Sequence, residues 1–125
     1  IKSLADPIRK VIYPRMPHNS KNKYDFPTDS AKKYFLDKKS KYIGNMEELR
    51  INPPSESINA INDTLICIDN HISSPFINGD DVSWDDINIF PTLFILTMAT
   101  DLIKIPENTV RYINHIQNIT NIELY

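Results

Sequence analysis

A chain of 125 residues and 14.5 kDa has the size of one domain, and 41% apolar with 24% charged residues suffices for one core without disulfides or metals to hold it together. Fourteen basic side chains against sixteen acidic ones leave a net charge of −2, which excludes the basic footprint of a nucleic-acid binder. The one cysteine, Cys67, excludes an internal disulfide, a Cys-x-x-Cys redox pair and a cysteine-rich zinc site.

Only two glycines, Gly44 and Gly79, are available for hairpin turns and bulges, which disfavours an all-β fold, and the apolar spacing is helical. Asp6 is expected to cap a first helix with Pro7 at its first position and Ile8, Val11 and Ile12 on one face, ended by Pro14 and Pro17. A polar stretch between His18 and Phe26, expected to be mobile, leads to a second helix. Thr28 caps it, Ala31, Tyr34, Phe35 and Tyr42 share a face, and Gly44 stops it. Asn45 caps a short turn through Arg50, and Pro53 and Pro54 break the chain. Ser55 or Ser57 then opens a helix in which Ile58, Ile61, Leu65, Ile68 and Ile72 form a core stripe. Ser83 and Asp86 have the spacing of a capping box, flanked by Val82 and Ile87 as a hydrophobic staple. The helix they open is apolar nearly all round, through Ile89, Phe90, Leu93, Phe94, Ile95, Leu96 and Met98, and is expected to be buried and bent at Pro91. Pro106 and Glu107 announce the last helix, with Val110, Ile113 and Ile116 inward and Ile122 and Leu124 as closing anchors. The expectation is an all-α bundle of five to six helices around one buried helix, a single domain over residues 1–125. The longest apolar window, from Ile87 to Ala99, is interrupted by Asn88 and Pro91 and falls short of the roughly 20 residues of a membrane helix. A soluble chain is therefore expected. Ile1 is neither a start methionine nor part of a secretion signal, so a piece of something longer is expected.

The run Gly79-Asp80, Ser83-Trp84-Asp85-Asp86-Ile87 and Phe90-Pro91 resembles the C-terminal helical domain of glutathione-transferase-like proteins. Tyr13-Pro14-Arg15-Met16, Lys33-Tyr34-Phe35-Leu36-Asp37-Lys38-Lys39, Gly44-Asn45-Met46, and Ile105-Pro106 followed by Val110 and Tyr112 narrow the match. In this order, over nearly the whole chain, they resemble the C-terminal domain of the two-domain bacterial glutaredoxin-2 family. The resemblance implies a partner, an N-terminal thioredoxin-like domain carrying the glutathione site and a Cys-Pro-Tyr-Cys dithiol. It also implies a cytoplasmic parent that reduces glutathionylated and disulfide substrates with glutathione, while this chain holds no cofactor and no catalytic residue. The Pro53-Pro54 pair departs from the more continuously helical stretch of that family.

Several residues carry a sharper and a plainer reading. Cys67 points about 140° away from the isoleucine stripe at 100° per residue, and Asp69 beside it gives a thiolate no help, so an incidental thiol is expected. His18, His71 and His115 lack the spacing of metal ligands, and Asp80, Asp81, Asp85 and Asp86 lack the order of an EF-hand loop; helix capping accounts for the acids. Most lysines between Lys32 and Lys41 belong on a solvated face. Lys38 falls with Tyr34, Phe35 and Tyr42 and either snorkels or meets an anion; with Arg15 and Tyr34 it is a candidate cleft or anion contact. Trp84 is expected to pack. Ile8, Pro91, Leu93 and Phe94 are candidates for an apolar surface against the missing domain. The rival functions are a stand-alone helical interaction module and the C-terminal domain of a glutathione transferase.

Overall fold

The computed structural model describes residues 4–18 and 26–125, and residues 19–25 of the polar connection fall outside them. Among the described residues six helices are present: α1 (Ala5–Ile12), α2 (Asp29–Ile43), α3 (Met46–Ile51), α4 (Ser55–His71), α5 (Trp84–Leu96) and α6 (Glu107–Thr120). Among the described residues there is no strand, only a lone antiparallel bridge between Phe76 and Gly79. The fold is all-α, and the chain divides into two compact units, Ile1–Ala60 and Ile61–Tyr125, with α4 crossing the division.

In the first unit, α1 begins two residues earlier than Asp6 would place it. Leu4 is its N-cap residue and no side chain caps it, so Asp6 lies inside the first turn, where its charge suits the helix dipole and pairs with Lys10 at 3.0 Å. Val11, Ile12 and Pro14 are buried. Helix α2 has the expected ends: Thr28 Oγ1 accepts from the Ala31 amide at 3.1 Å, and Gly44 closes it at φ 94°, a conformation that side-chain-bearing residues avoid. Yet α2 buries no residue. Its aromatic face is not core, since Tyr34 is 65% and Tyr42 is 77% exposed, and only Phe35 is held, edge-on, by Phe26 and Tyr13. In α3, Asn45 Oδ1 accepts from the Glu48 amide at 3.1 Å, and Met46 is buried.

In the second unit, Ile61 and Leu65 of α4 are fully enclosed, Ile68 and Ile72 half so, and Cys67 faces solvent as the helical wheel requires. Helix α5 runs through Pro91 and points Asp86, Leu93 and Leu96 inward; the 3-10 turn Thr97–Ala99 that follows is buried. Its remaining apolar side chains are half-exposed or exposed, so an apolar composition on every side does not give burial on every side. Trp84 is corrected most plainly: it is 77% exposed and packs on nothing that would hide it.

Helix α6 starts at Pro106, which has no capping side chain. Asp69 of α4 supplies the cap from forty residues away: its Oδ1 accepts from the Thr109 amide at 2.7 Å and from Thr109 Oγ1 at 2.9 Å. Asn62 Oδ1 accepts from the Lys104 amide at 2.9 Å and ties the preceding loop to the same helix. Thr109 is fully buried, so removing its acceptor leaves two donors without a partner. Asp69→Ala should cost about 2 kcal/mol in chemical denaturation, and an unchanged midpoint would show that Asp69 does not cap α6.

Candidate functional site

The N-terminus of α5 is the most densely bonded place among the described residues. Asp86 is 3% exposed and its carboxylate takes four donors. Oδ1 accepts from the Ile77 amide at 3.0 Å and from the Tyr112 hydroxyl at 2.9 Å. Oδ2 accepts from the Ser83 amide at 2.8 Å and from Ser83 Oγ at 3.1 Å. Burial pushes the Asp86 carboxyl up, but these hydrogen bonds together outweigh it and hold the group below its ordinary value. Burial and the carboxylate beside it push the Tyr112 phenol far up, so it stays a donor. The expected capping box is present. Its Ser83 arm is the weaker one, because that hydroxyl also accepts from Asn78 Nδ2 at 3.0 Å. Ser83→Ala should therefore cost about 1 kcal/mol in urea or heat, and a change within error would remove its capping role. The staple pair is not hidden, with Val82 62% and Ile87 56% exposed.

Cys67 lines a concavity of about 340 Å³ with Ile68, His71, Ile77, Asn78 and Asp85. Sequence spacing places His71 four residues on, but its Nδ1 is hydrogen-bonded to the Cys67 carbonyl oxygen at 2.7 Å rather than directed at the sulfur. Asp69 is occupied by α6. Among the described residues no three His, Cys, Asp or Glu side chains converge as metal ligands, and no helix is long and apolar enough to cross a membrane.

The three candidate anion contacts do not form one group. Lys38 Nζ donates to the Tyr34 hydroxyl at 3.4 Å and stands 5.6 Å from that ring's centre, both residues exposed. Arg15 is half-buried in the turn after α1 and is not free. Lys38 instead lines a concavity with Arg9, Tyr13, Lys39, Tyr42 and Ile43. Arg9 carries no motif in the sequence; its position in the last turn of α1, four residues before Tyr13, is the one signal that could have found it.

The four candidate interface residues are also dispersed in character. Leu93 is fully enclosed and has no surface to offer, a correction that follows from its place on the inner side of α5. Phe94 is half-buried against Phe90 and Tyr125, Ile8 is half-buried, and Pro91 is exposed. Pro91 borders an apolar groove of about 330 Å³ whose walls include Phe76, Val82, Ile87, Phe90, Ile116 and Ile119, with Asp86 also in its lining.

Comparison with known proteins adds the family. The profile described as "Glutaredoxin 2, C terminal domain" matches residues 1–125. Glutaredoxin 2 of Escherichia coli strain K12 is 34% identical over 116 residues, which is 92% of this chain and 52% of that protein, and Glutaredoxin 2 of Escherichia coli O157:H7 matches equally. The chain thus spans about half the length of the relatives it matches. An all-α chain with a boxed, carboxylate-centred helix start, matched from end to end by this profile, belongs to the glutaredoxin 2 C-terminal domain family.

Proposed function

We propose that this chain is the non-catalytic helical half of a cytoplasmic, glutathione-dependent disulfide oxidoreductase, packing on a thioredoxin-like half and forming one wall of its substrate cleft. The observation that carries the reading is the family match over residues 1–125 combined with coverage of only 52% of the Escherichia coli relative. The other half supplies the thiolate that attacks the mixed disulfide; electrons come from glutathione, and this chain contributes shape and charge. Two features support the division of labour. Cys67 has no second cysteine in the chain to pair with. The groove around Phe90 and Pro91 is apolar surface that a packed partner would cover. Lys38 is the cleft contact in this reading, through the charge it presents beside Tyr34.

The reading frame upstream of Ile1 tests this directly. A Cys-Pro-Tyr-Cys lying about 70 to 90 residues before Ile1, the span of a thioredoxin-like unit, is the expected result. A serine or tyrosine in its place would indicate a glutathione transferase, and no such unit would indicate a stand-alone interaction module.

A further inference from the structure

We propose that the concavity formed by the last turn of α1 and the C-terminal half of α2 binds a small organic anion carrying at least two acidic groups. Its lining is Arg9, Tyr13, Lys38, Lys39, Tyr42 and Ile43, and its volume is about 300 Å³, the lower end of the range of small-molecule sites. Three basic residues line it in a chain whose net charge is −2. Among the described residues, none in the lining is acidic. Asp6, the carboxylate of α1, is paired with Lys10 at 3.0 Å, and Asp37 of α2 is exposed outside the lining.

Compensation of a helix dipole is the ordinary work of basic residues in a last turn and accounts for Arg9 and Lys10 of α1 and Lys41 of α2, but not for Lys38 and Lys39, which precede the last turn of α2. The contacts that Lys38 and Lys39 make are with phenols. Lys38 reaches the Tyr34 hydroxyl, and Lys39 Nζ lies 5.2 Å from the centre of the Tyr13 ring. Such contacts orient an ammonium without neutralising it. The Tyr13 wall is also fixed in advance: Phe35 meets its ring edge-on at 5.7 Å and is itself met edge-on by Phe26 at 4.9 Å. A preformed aromatic wall beside cations that no carboxylate among the described residues pairs with lowers the ordering cost of binding. The guanidinium fork of Arg9 matches a carboxylate or phosphate, the two ammoniums act as point charges, and the rings accept the ligand's carbon stem. A monoanion would leave two of the three charges unanswered, which is why two or more acidic groups are required. The site shares Lys38 with the proposed cleft contact but needs no residue from the thioredoxin-like half, so its binding is measured on this chain and its failure is distinguishable from failure of that reading.

The test is a titration of the full chain by heteronuclear magnetic resonance at constant ionic strength, with citrate, inorganic pyrophosphate and, as monoanion control, acetate. Saturable shifts confined to Arg9, Tyr13, Lys38, Lys39 and Tyr42 are expected with citrate, pyrophosphate or both. Saturation by citrate alone assigns carboxylates, and by pyrophosphate alone phosphates. Arg9→Gln and Lys38→Gln, at exposed positions, should each weaken binding about tenfold, as the loss of one charge-assisted hydrogen bond does, with helix content unchanged by circular dichroism. Lys33→Gln, on the same helix outside the lining, should leave binding unchanged. Absence of saturation with both polyanions, equal shifts with acetate, or equal weakening by Lys33→Gln would overturn the proposal.

Discussion

Glutathione-dependent reduction of a small mixed disulfide by this 125-residue chain alone should match the uncatalysed rate, and Cys67→Ser should leave it there. The attacking sulfur in such a reaction must be a thiolate at working pH, and regeneration through an internal disulfide needs a second sulfur within reach. Cys67 is the one sulfhydryl in the chain, and it lies on the exposed side of α4. The imidazole one turn on spends its Nδ1 on the Cys67 carbonyl oxygen at 2.7 Å. Joining the chain to a thioredoxin-like half should raise the rate by several orders of magnitude, with the dithiol on the added half. Brisk turnover by the chain alone, abolished by Cys67→Ser, would make Cys67 a nucleophile and end the proposed division of labour.

Replacing Asp86 should be the most damaging single change to stability. Asp86→Ala strands the Ile77 amide, the Tyr112 hydroxyl and the Ser83 amide, all of which now end on that carboxylate, and opens a void where it stood. A buried donor left unpaired costs about 1–3 kcal/mol, so three together cost about 3–5 kcal/mol or more, a large share of the roughly 5–15 kcal/mol by which domains are stable. Urea denaturation measures it. A loss under about 1 kcal/mol would show that the four bonds do not hold the helix start. Acid should act in the same direction. The folded Asp86 carboxyl lies below its ordinary value of 3.8, so its contribution is complete above that value and is lost as the pH falls through the lower, folded one. Asp86→Asn should remove that part of the acid sensitivity, and an unchanged acid slope would assign it to other carboxylates.

The helix starts at Thr28, Asn45 and Ser83 were legible in the sequence because a cap is a local event: the acceptor and the amide it serves are three residues apart. The cap of α6 was not legible, because Asp69 meets Thr109 across forty residues and no local pattern encodes that meeting. Tyr112 was noticed only through resemblance, and its bond to Asp86 spans twenty-six residues. Periodicity also misjudged two faces. It marks which residues lie on one side of a helix, not whether anything covers that side. Hence the aromatic face of α2 and the Val82–Ile87 side of α5 are open, whereas Leu93 is enclosed. The cationic concavity was half legible: Lys38 stood out against its helix face, but Arg9 comes from another helix and joins it only in the fold.

The four-donor carboxylate places unequal demands on the residues around it as the sequence drifts. At position 77 the donor is main chain, so exchange of Ile77 for another apolar side chain leaves that bond in place. At position 83 a side-chain change removes the hydroxyl arm and keeps the amide arm. At position 112 the donor is the side chain itself, and its loss leaves a buried oxygen short of a partner. Positions 86 and 112 are therefore bound to change together or not at all, and homologues in which the tyrosine varies freely beside a retained aspartate are the pattern that this coupling forbids.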